Sequence, residues 1–188
     1  LIAGGVMPKD YPVSCFSLTG YSGGGKKMIA EYESEERDAE LDAPRQYGLS
    51  QMHKHLKEMQ AVTGLERTPL FSPIVADYYS GMLVSVPLYA DLLNGDPSPE
   101  DIHRLYAEHF AGEKFIRVMP LGAEAETRGF LGSNNCSGWD GIQIFVTGNE
   151  DRILVSSRFD NLGKGASGAA IQCLNLVLGC DEAKGLNI

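Results

Sequence analysis

Gly163, Gly165 and Gly168, in the run Asp160-Asn161-Leu162-Gly163-Lys164-Gly165-Ala166-Ser167-Gly168-Ala169-Ala170, satisfy the spacing G-x-G-x-x-G of a dinucleotide-binding turn. Such a turn sets a pyrophosphate against the free N–H groups and positive dipole end of a helix N-terminus. A Rossmann unit also needs a second strand carrying an acidic residue for the ribose, and the twenty residues after Gly168 leave no room for one. The segment therefore reads in one of two ways. It is a lysine-bearing helix start beside an anion or a cofactor edge, or a close helix-on-sheet contact that needs glycine for clearance.

Three further segments carry chemistry. Gly20, Gly25 and Lys26 match G-x-x-x-x-G-K, but Lys27 stands where a phosphate-binding loop needs Ser or Thr for Mg²⁺. A triphosphate site is thus disfavoured, while two lysines beside free backbone N–H groups can still hold a phosphate or carboxylate. In Met52-His53-Lys54-His55 either imidazole suits general acid/base work, because the ordinary histidine pKa lies near neutrality. Two solvated histidines are the plain alternative, and zinc would need further ligands. The polar loop Gly132-Ser133-Asn134-Asn135-Cys136-Ser137-Gly138 offers a thiol, yet no base or cation in sequence marks it as a nucleophile. Cys136 reads as an unreactive loop residue.

The elements that must position these groups are mixed. Tyr11–Tyr21, Pro69–Tyr78 and Ser80–Tyr89 read as strands, the last alternating Met82, Val84, Val86 and Leu88 with Leu83, Ser85, Pro87 and Tyr89. Pro87 belongs near an edge or an end. Residues 55–63 suggest a helix ending at Gly64. Pro99–Ala111 is the clearest helix, with Ser98 as cap, Asp101 completing a capping box, and Ile102, Leu105, Tyr106 and Phe110 as its apolar stripe. Short strands follow at 115–119, 142–147 and 152–159, the last two joined by the turn Gly148-Asn149-Glu150-Asp151. The final helix is expected to bury Ala166, Ala169, Ala170, Cys173 and Val177, leaving the glycines at 163 and 165 at the surface with free N–H groups. Hairpins with a few helices give an α+β class on a mostly antiparallel mixed sheet with helices on one face.

A net charge of −9 disfavours nucleic acid and anionic membrane surfaces as partners. No stretch approaches the 18 apolar residues of a membrane span. The seven carboxylates against one arginine between Glu31 and Asp42 read as a solvated surface. The four cysteines form no C-x-x-C pair and no zinc spacing, which points to a reducing cytoplasm and no metal site. The start Leu1-Ile2-Ala3-Gly4-Gly5 reads as the interior of a longer protein.

Taken together and in order, Pro12 through Lys27, Tyr47-Gly48-Leu49-Ser50-Gln51-Met52-His53-Lys54-His55, and Phe159 through Ala170 resemble the N-acetyl-gamma-glutamyl-phosphate reductases of arginine biosynthesis, in their shorter form. The resemblance implies a glyceraldehyde-3-phosphate dehydrogenase-like C-terminal domain: residues 1–160 as the catalytic and dimerisation part, 161–188 as a helix and tail returning to an N-terminal Rossmann domain. It implies NADP as cofactor and an acyl phosphate as substrate. His55 takes the catalytic acid/base role; Ser22, Gly23, Gly24, Lys26 and His53 meet the substrate; Asn161, Gly163, Lys164 and Gly165 meet the nicotinamide end of the cofactor. The family's nucleophilic cysteine, in an Asn-Pro-Gly-Cys-Tyr-type motif, has no counterpart among these residues, so none of the four cysteines inherits that role. A related acyl-phosphate reductase of the lysine route shares every motif. A catalytically silent dimerisation or binding domain is the alternative from another class.

Overall fold

The computed structural model describes all 188 residues. In chain order the elements are β1 (Ser14–Gly20), α1 (Gly25–Tyr32), β2 (Arg45–Gln46), α2 (His55–Thr63), β3 (Leu70–Ala76), β4 (Met82–Tyr89), α3 (Pro99–His109), β5 (Ile116–Val118), β6 (Ile142–Gly148), β7 (Arg152–Phe159) and α4 (Gly168–Val177). The strands form one seven-stranded sheet in the order β2-β3-β1-β4-β7-β6-β5. Only β1 with β3 and β5 with β6 run parallel; the other four pairs are antiparallel. The α+β class read from the hairpin pattern is the class observed.

Alternation along β4 decides which side of the sheet is covered. Val84, Val86 and Leu88 share a face with Cys15 and Ser17 of β1, Phe71 of β3, and Ile153 and Val155 of β7, as the register requires. Three helices pack on that face. Ile102 of α3 is fully enclosed beside Leu88, Val146 and Ile153, a burial contributing about 1.5–3 kcal/mol. Leu56 of α2 packs on Cys15 and Phe71, and Tyr32 of α1 on Leu41 and Val75. The opposite face, carrying Phe16, Ser85, Ser156 and Phe145 in one row, is covered only in part. There the segment between β5 and β6 lies over β6 and β7, where Arg158 donates to Gly132 O at 3.3 Å. Phe16 remains 48% exposed, and Leu70 and Tyr89 are exposed too.

Local sequence signals account for several boundaries. The Ser98–Asp101 capping box is formed in both directions and Pro99 takes the first turn of α3. α2 ends on Gly64 in the left-handed conformation, φ 74°. Pro87 lies inside a central strand, but β1 pairs only with Met82–Ser85, so at Pro87 the strand has a neighbour on one side alone. The missing N–H therefore breaks no ladder on the β1 side. On the free edge of β3, Gln51 acts as a strand substitute: Nε2 donates to Phe71 O at 2.8 Å and Phe71 N–H donates to Oε1 at 3.0 Å.

The last helix departs from its expected packing. Of α4 only Gly168 and Asn175 are buried, while Ala170, Cys173, Leu174, Leu176 and Val177 are exposed, Val177 at 83%. The run Gly168–Val177 is apolar nearly all round, so its periodicity does not single out one face. Its two polar side chains mark the inward side instead. Asn175 Nδ2 donates to Glu182 O at 3.0 Å and Lys184 O at 2.9 Å, and Gln172 Nε2 donates to Glu182 Oε1 at 2.6 Å. The helix rests on its own tail, and its apolar stripe faces outward.

Candidate functional site

The C-terminal end of β1 runs into the tight turn Tyr21–Gly24 and then α1. This turn is sewn to the β3–β4 connection by three backbone bonds: Gly20 N–H to Gly81 O at 3.0 Å, Tyr21 N–H to Tyr78 O at 2.9 Å, and Ser22 N–H to Tyr79 O at 3.0 Å. Position 20 must be glycine here, because a Cβ would stand 2.5 Å from Tyr79 O. Gly23, Gly24, Gly25, Lys26 and Lys27 are all exposed at the start of α1. That helix start leaves N–H groups without intrahelical partners, with two lysines alongside.

Asn161 joins the segment after β7 to this turn. Its Oδ1 accepts from Gly81 N–H at 2.7 Å, and its Nδ2 donates to Ser22 Oγ at 3.0 Å. Ser22 is only 4% exposed. Its hydroxyl therefore faces Asn161 rather than solvent, and the surface offered to a ligand is that of Gly23 to Lys26. Residues 139 apart in sequence, expected separately at a substrate turn and a cofactor segment, thus form one junction. No local pattern in the sequence pairs the two; Gly23 only leaves room for the contact, since a Cβ there would come to 3.3 Å from Asn161 Nδ2.

The glycines that follow Asn161 serve packing. Gly163–Ser167 form a π-helical turn leading into α4. A Cβ on Gly163 would lie 2.7 Å from Asp140 Oδ1, and one on Gly165 would lie 3.1 Å from Asp160 O and 3.3 Å from the Phe159 ring. Gly165 N–H donates to Asp160 O at 2.8 Å, so it is paired rather than free. Asp160, buried, holds the approach to the turn by accepting from Gly138 N–H at 2.6 Å and Leu162 N–H at 2.9 Å. Lys164 turns inward: its ammonium sits 4.9 Å from the Phe115 ring centre and donates to Gln172 Oε1 at 2.5 Å. Burial lowers the Lys164 pKa, opposed by Glu182, Cys173, Asp140 and Glu113. The Cβ positions of these glycines are thus crowded by Asp140, Asp160 and Phe159, and no sequence pattern marks the Asp140 contact.

The histidine pair lies on the helix-covered side of the sheet. His53 packs edge-on against His55 and Phe71, with ring centres 4.7 and 5.2 Å away, and its Nδ1 accepts from His55 N–H at 3.3 Å. Burial lowers the His53 pKa, and the His55 and Lys54 charges lower it further. His55 opens α2 and is exposed on the rim of an apolar groove of about 750 Å³ between α2 and α3. Cys15, Ser17, Val84 and Met82 floor that groove. Ser17 Oγ is wholly enclosed there without a hydrogen-bond partner. Neither histidine is among the contacts of the Ser22–Asn161 junction.

Burial disfavours the thiolate at both buried cysteines. Burial pushes Cys15 up to about 11. Cys136 is also raised by burial, against the lowering effect of Arg158, and donates to Gln143 Oε1 at 3.4 Å. No group of three His, Cys, Asp or Glu side chains is placed to hold a metal ion. No helix is long and apolar enough to cross a membrane.

Comparison with known proteins places this geometry. The chain is 44% identical over 194 residues to N-acetyl-gamma-glutamyl-phosphate reductase 2 of Nostoc sp., covering 99% of this chain and 60% of that protein. It is 43% identical over 178 residues to the N-acetyl-gamma-glutamyl-phosphate reductase of Brucella ovis, covering 93% of this chain and 57% of that protein. The chain thus spans less than two thirds of the length of these relatives. Among solved structures, the aspartate semialdehyde dehydrogenase of Francisella tularensis superposes with a TM-score of 0.68 at 14% identity, over 95% of this chain and 60% of that one. Aspartate semialdehyde dehydrogenase II of Vibrio cholerae gives 0.62 at 16% identity, over 89% and 54%. These likenesses bear on the fold alone. The family model described as the semialdehyde dehydrogenase dimerisation domain matches residues 1–161, and the chain belongs to that family.

Proposed function

We propose that the chain is the catalytic and dimerisation part of an N-acetyl-gamma-glutamyl-phosphate reductase, which reduces the acyl phosphate to N-acetyl-glutamate 5-semialdehyde with NADPH and releases phosphate. One observation carries the proposal above the others: the lysine-flanked turn Gly23–Lys26 and the segment opened by Asn161 meet at one end of the sheet. An anion-binding surface and a cofactor-facing surface side by side are what a phosphorylating reductase needs. The relatives at 43–44% identity carry that name.

In this proposal Gly23, Gly24 and Lys26 hold the substrate's phosphate or carboxylate through backbone N–H groups and the ammonium. A cysteine thiolate from the part of the protein outside residues 1–188 attacks the acyl carbon and expels phosphate, leaving a thioester. NADPH, when bound, supplies the hydride. His55 donates a proton to the oxygen of the resulting thiohemiacetal stage and takes it back as the C–S bond breaks to free the aldehyde and thiolate. His53 orients the start of α2 through its Nδ1 contact with the His55 N–H. Asn161, with one Nδ2 hydrogen not engaged by Ser22, and the exposed Gly165 backbone are the groups that fit the nicotinamide end. Gly163 and Lys164 face inward and serve by shaping the turn. Residues 161–188, whose apolar side is uncovered, return to the cofactor domain. Two copies associate through the exposed sheet face around Phe16, and the enzyme works in the cytoplasm.

The test is the reverse assay of the full-length protein: NADP⁺ reduction driven by N-acetyl-glutamate 5-semialdehyde and inorganic phosphate. Turnover with this aldehyde supports the proposal. Turnover only with the one-carbon-longer aldehyde of the lysine route would move the substrate assignment. No turnover with either would leave a silent dimerisation domain. The isolated 188 residues should be inactive, and activity in them would overturn the assignment of the nucleophile to another part of the protein.

A further inference from the structure

Asn161 spends its amide on two loops that belong to different parts of the proposed site. Its Oδ1 is occupied by Gly81 N–H at 2.7 Å, and its Nδ2 reaches Ser22 Oγ at 3.0 Å. Other side chains hold the first residue of the turn: the Tyr21 ring stacks on Tyr32 at 4.6 Å and meets Tyr79 edge-on at 5.7 Å. Tyr21 Oη reaches Glu33 at 3.4 Å, and Thr19 Oγ1 donates only to the adjacent Gly20 O at 3.3 Å. Beyond Tyr21, the turn is held by backbone bonds to Tyr78, Tyr79 and Gly81 and by the Ser22 side chain. Asn161 grips both partners of that arrangement, the turn itself through Ser22 and the strand connection through Gly81.

The space around the junction is closed to alternatives. Gly20 has Tyr79 O at 2.5 Å from its Cβ position, and Gly81, at φ 119°, has Ser133 O at 2.5 Å. Gly23 approaches Asn161 Nδ2 within 3.3 Å of its Cβ position. Gly23 lets the turn approach the Asn161 amide, while Gly20 and Gly81 give clearance to the neighbouring backbone at Tyr79 and Ser133. Ser22 is 4% exposed, so its hydroxyl has no route to a ligand while Asn161 holds it.

We propose that Asn161 is a positioning residue for the anion-binding turn: through the Ser22 hydroxyl it fixes where Gly23, Gly24 and Lys26 present their N–H groups and ammonium to the phosphate-bearing substrate. This rests on the assignment of Gly23–Lys26 to substrate binding made above. Ser22 acts as the link and does not touch substrate. Because the turn is displaced rather than the reacting atoms, loss of the link weakens substrate binding more than it slows turnover.

A double-mutant cycle in the full-length reductase tests this, with Ser22→Ala, Asn161→Ala and the double variant measured for KM of the acyl phosphate, KM of NADPH and kcat. The expected result is a rise in acyl-phosphate KM of about tenfold for either single variant, with kcat within about threefold for Ser22→Ala, whereas Asn161→Ala, which also removes a group at the nicotinamide end, raises the NADPH KM as well. The double variant should be no worse than Asn161→Ala, since both remove one link. Ser22→Ala keeps the Gly81 bond and a side chain of nearly the same size, so it reports on the link even if Asn161→Ala folds poorly. Its KM for NADPH should stay within about twofold. Multiplying effects in the double variant, or an unchanged acyl-phosphate KM in either single one, would overturn the proposal. Lys26→Ala separates the two levels: if it too leaves the acyl-phosphate KM unchanged, the turn is not the anion site. If it raises KM while Asn161→Ala does not, only the positioning role falls.

Discussion

Asp140 holds its carboxylate where a side chain on Gly168 would have to begin: its Oδ1 lies 2.1 Å from that Cβ position, and the backbone carbon and oxygen of Gly163 both lie 2.7 Å away. Asp140 could swing aside, but the Gly163 backbone cannot. The same carboxylate, through Oδ2, accepts from Asn187 N–H at 2.9 Å, so one side chain fixes the helix start and the tail together. Gly168→Ala should therefore destabilise the chain by about 1–3 kcal/mol, the usual range for overpacking. Gly165→Val should do likewise through Asp160 O and the Phe159 ring. Urea denaturation of the chain checks both. Wild-type stability in both variants would show that the turn relaxes freely and that the glycines are there for a ligand.

In the full-length enzyme His55→Ala should lower kcat by about 10²–10⁴-fold, the usual range for a lost general acid/base. His53→Ala should cost less, because His53 reaches the chemistry only through its contact with the start of α2. A larger loss for His53 would reverse the assignment within the pair.

His53 also carries a pH signature. Burial favours its neutral form, so the folded pKa lies below the ordinary histidine value. The unfolded chain then binds more protons between the two values, and the stabilisation is complete above about 6.5. It is lost as pH falls from there through the folded pKa. Proton NMR should show His53 titrating below its ordinary value, and His53→Gln should flatten the acid side of the stability profile. A His53 titration at or above about 6.5 would contradict the burial seen here.

What was legible in the sequence follows from the range of the interactions. The Ser98–Asp101 cap, the Gly64 helix end and the 148–151 hairpin are local, and each signal sits within a few residues of its effect. The strand alternation in Met82–Tyr89 identified a sheet with one helix-covered face. The Ser22–Asn161 link spans 139 residues and the Asp140–Asn187 bond 47, and no local pattern encodes either. α4 misled because its helix signal was sound while its inward side was polar: Gln172 and Asn175 bind the tail, and the apolar side faces out.

The capping box of α3 gives a stability test independent of function. Ser98 Oγ accepts from Asp101 N–H at 3.2 Å, and Ser98 N–H donates to Asp101 Oδ2 at 3.1 Å. Ser98→Ala should cost about 1 kcal/mol. Asp101 is held below the ordinary carboxylate range by Arg104, then by the Ser98 side chain and backbone. Its contribution is therefore present above the ordinary aspartate value and disappears as pH falls through the lower folded one. The gap between wild type and Asp101→Asn should close under acid conditions. A gap that persists would mean the box does not depend on the charge.

The uncovered sheet face makes the last expectation. Phe16, Leu70 and Tyr89 stand exposed on the side opposite the helices, while the segment between β5 and β6 lies over β7 and reaches the β3–β4 connection, where Ser137 Oγ donates to Ser80 O at 2.6 Å. Apolar side chains left in water on a sheet face drive association, and two-fold pairing is the commonest way a protein covers them. Ser85 Oγ and Ser156 Oγ, 2.8 Å apart in the same row, hydrogen-bond each other, which lowers the cost of covering this row. Sedimentation of the chain at micromolar concentration should give a dimer. Phe16→Glu at the centre of the face should shift it to monomer, whereas Val177→Glu on the exposed side of α4 should not. Were Val177→Glu the variant that dissociates the dimer, the interface would lie on the last helix and the sheet face would need another partner.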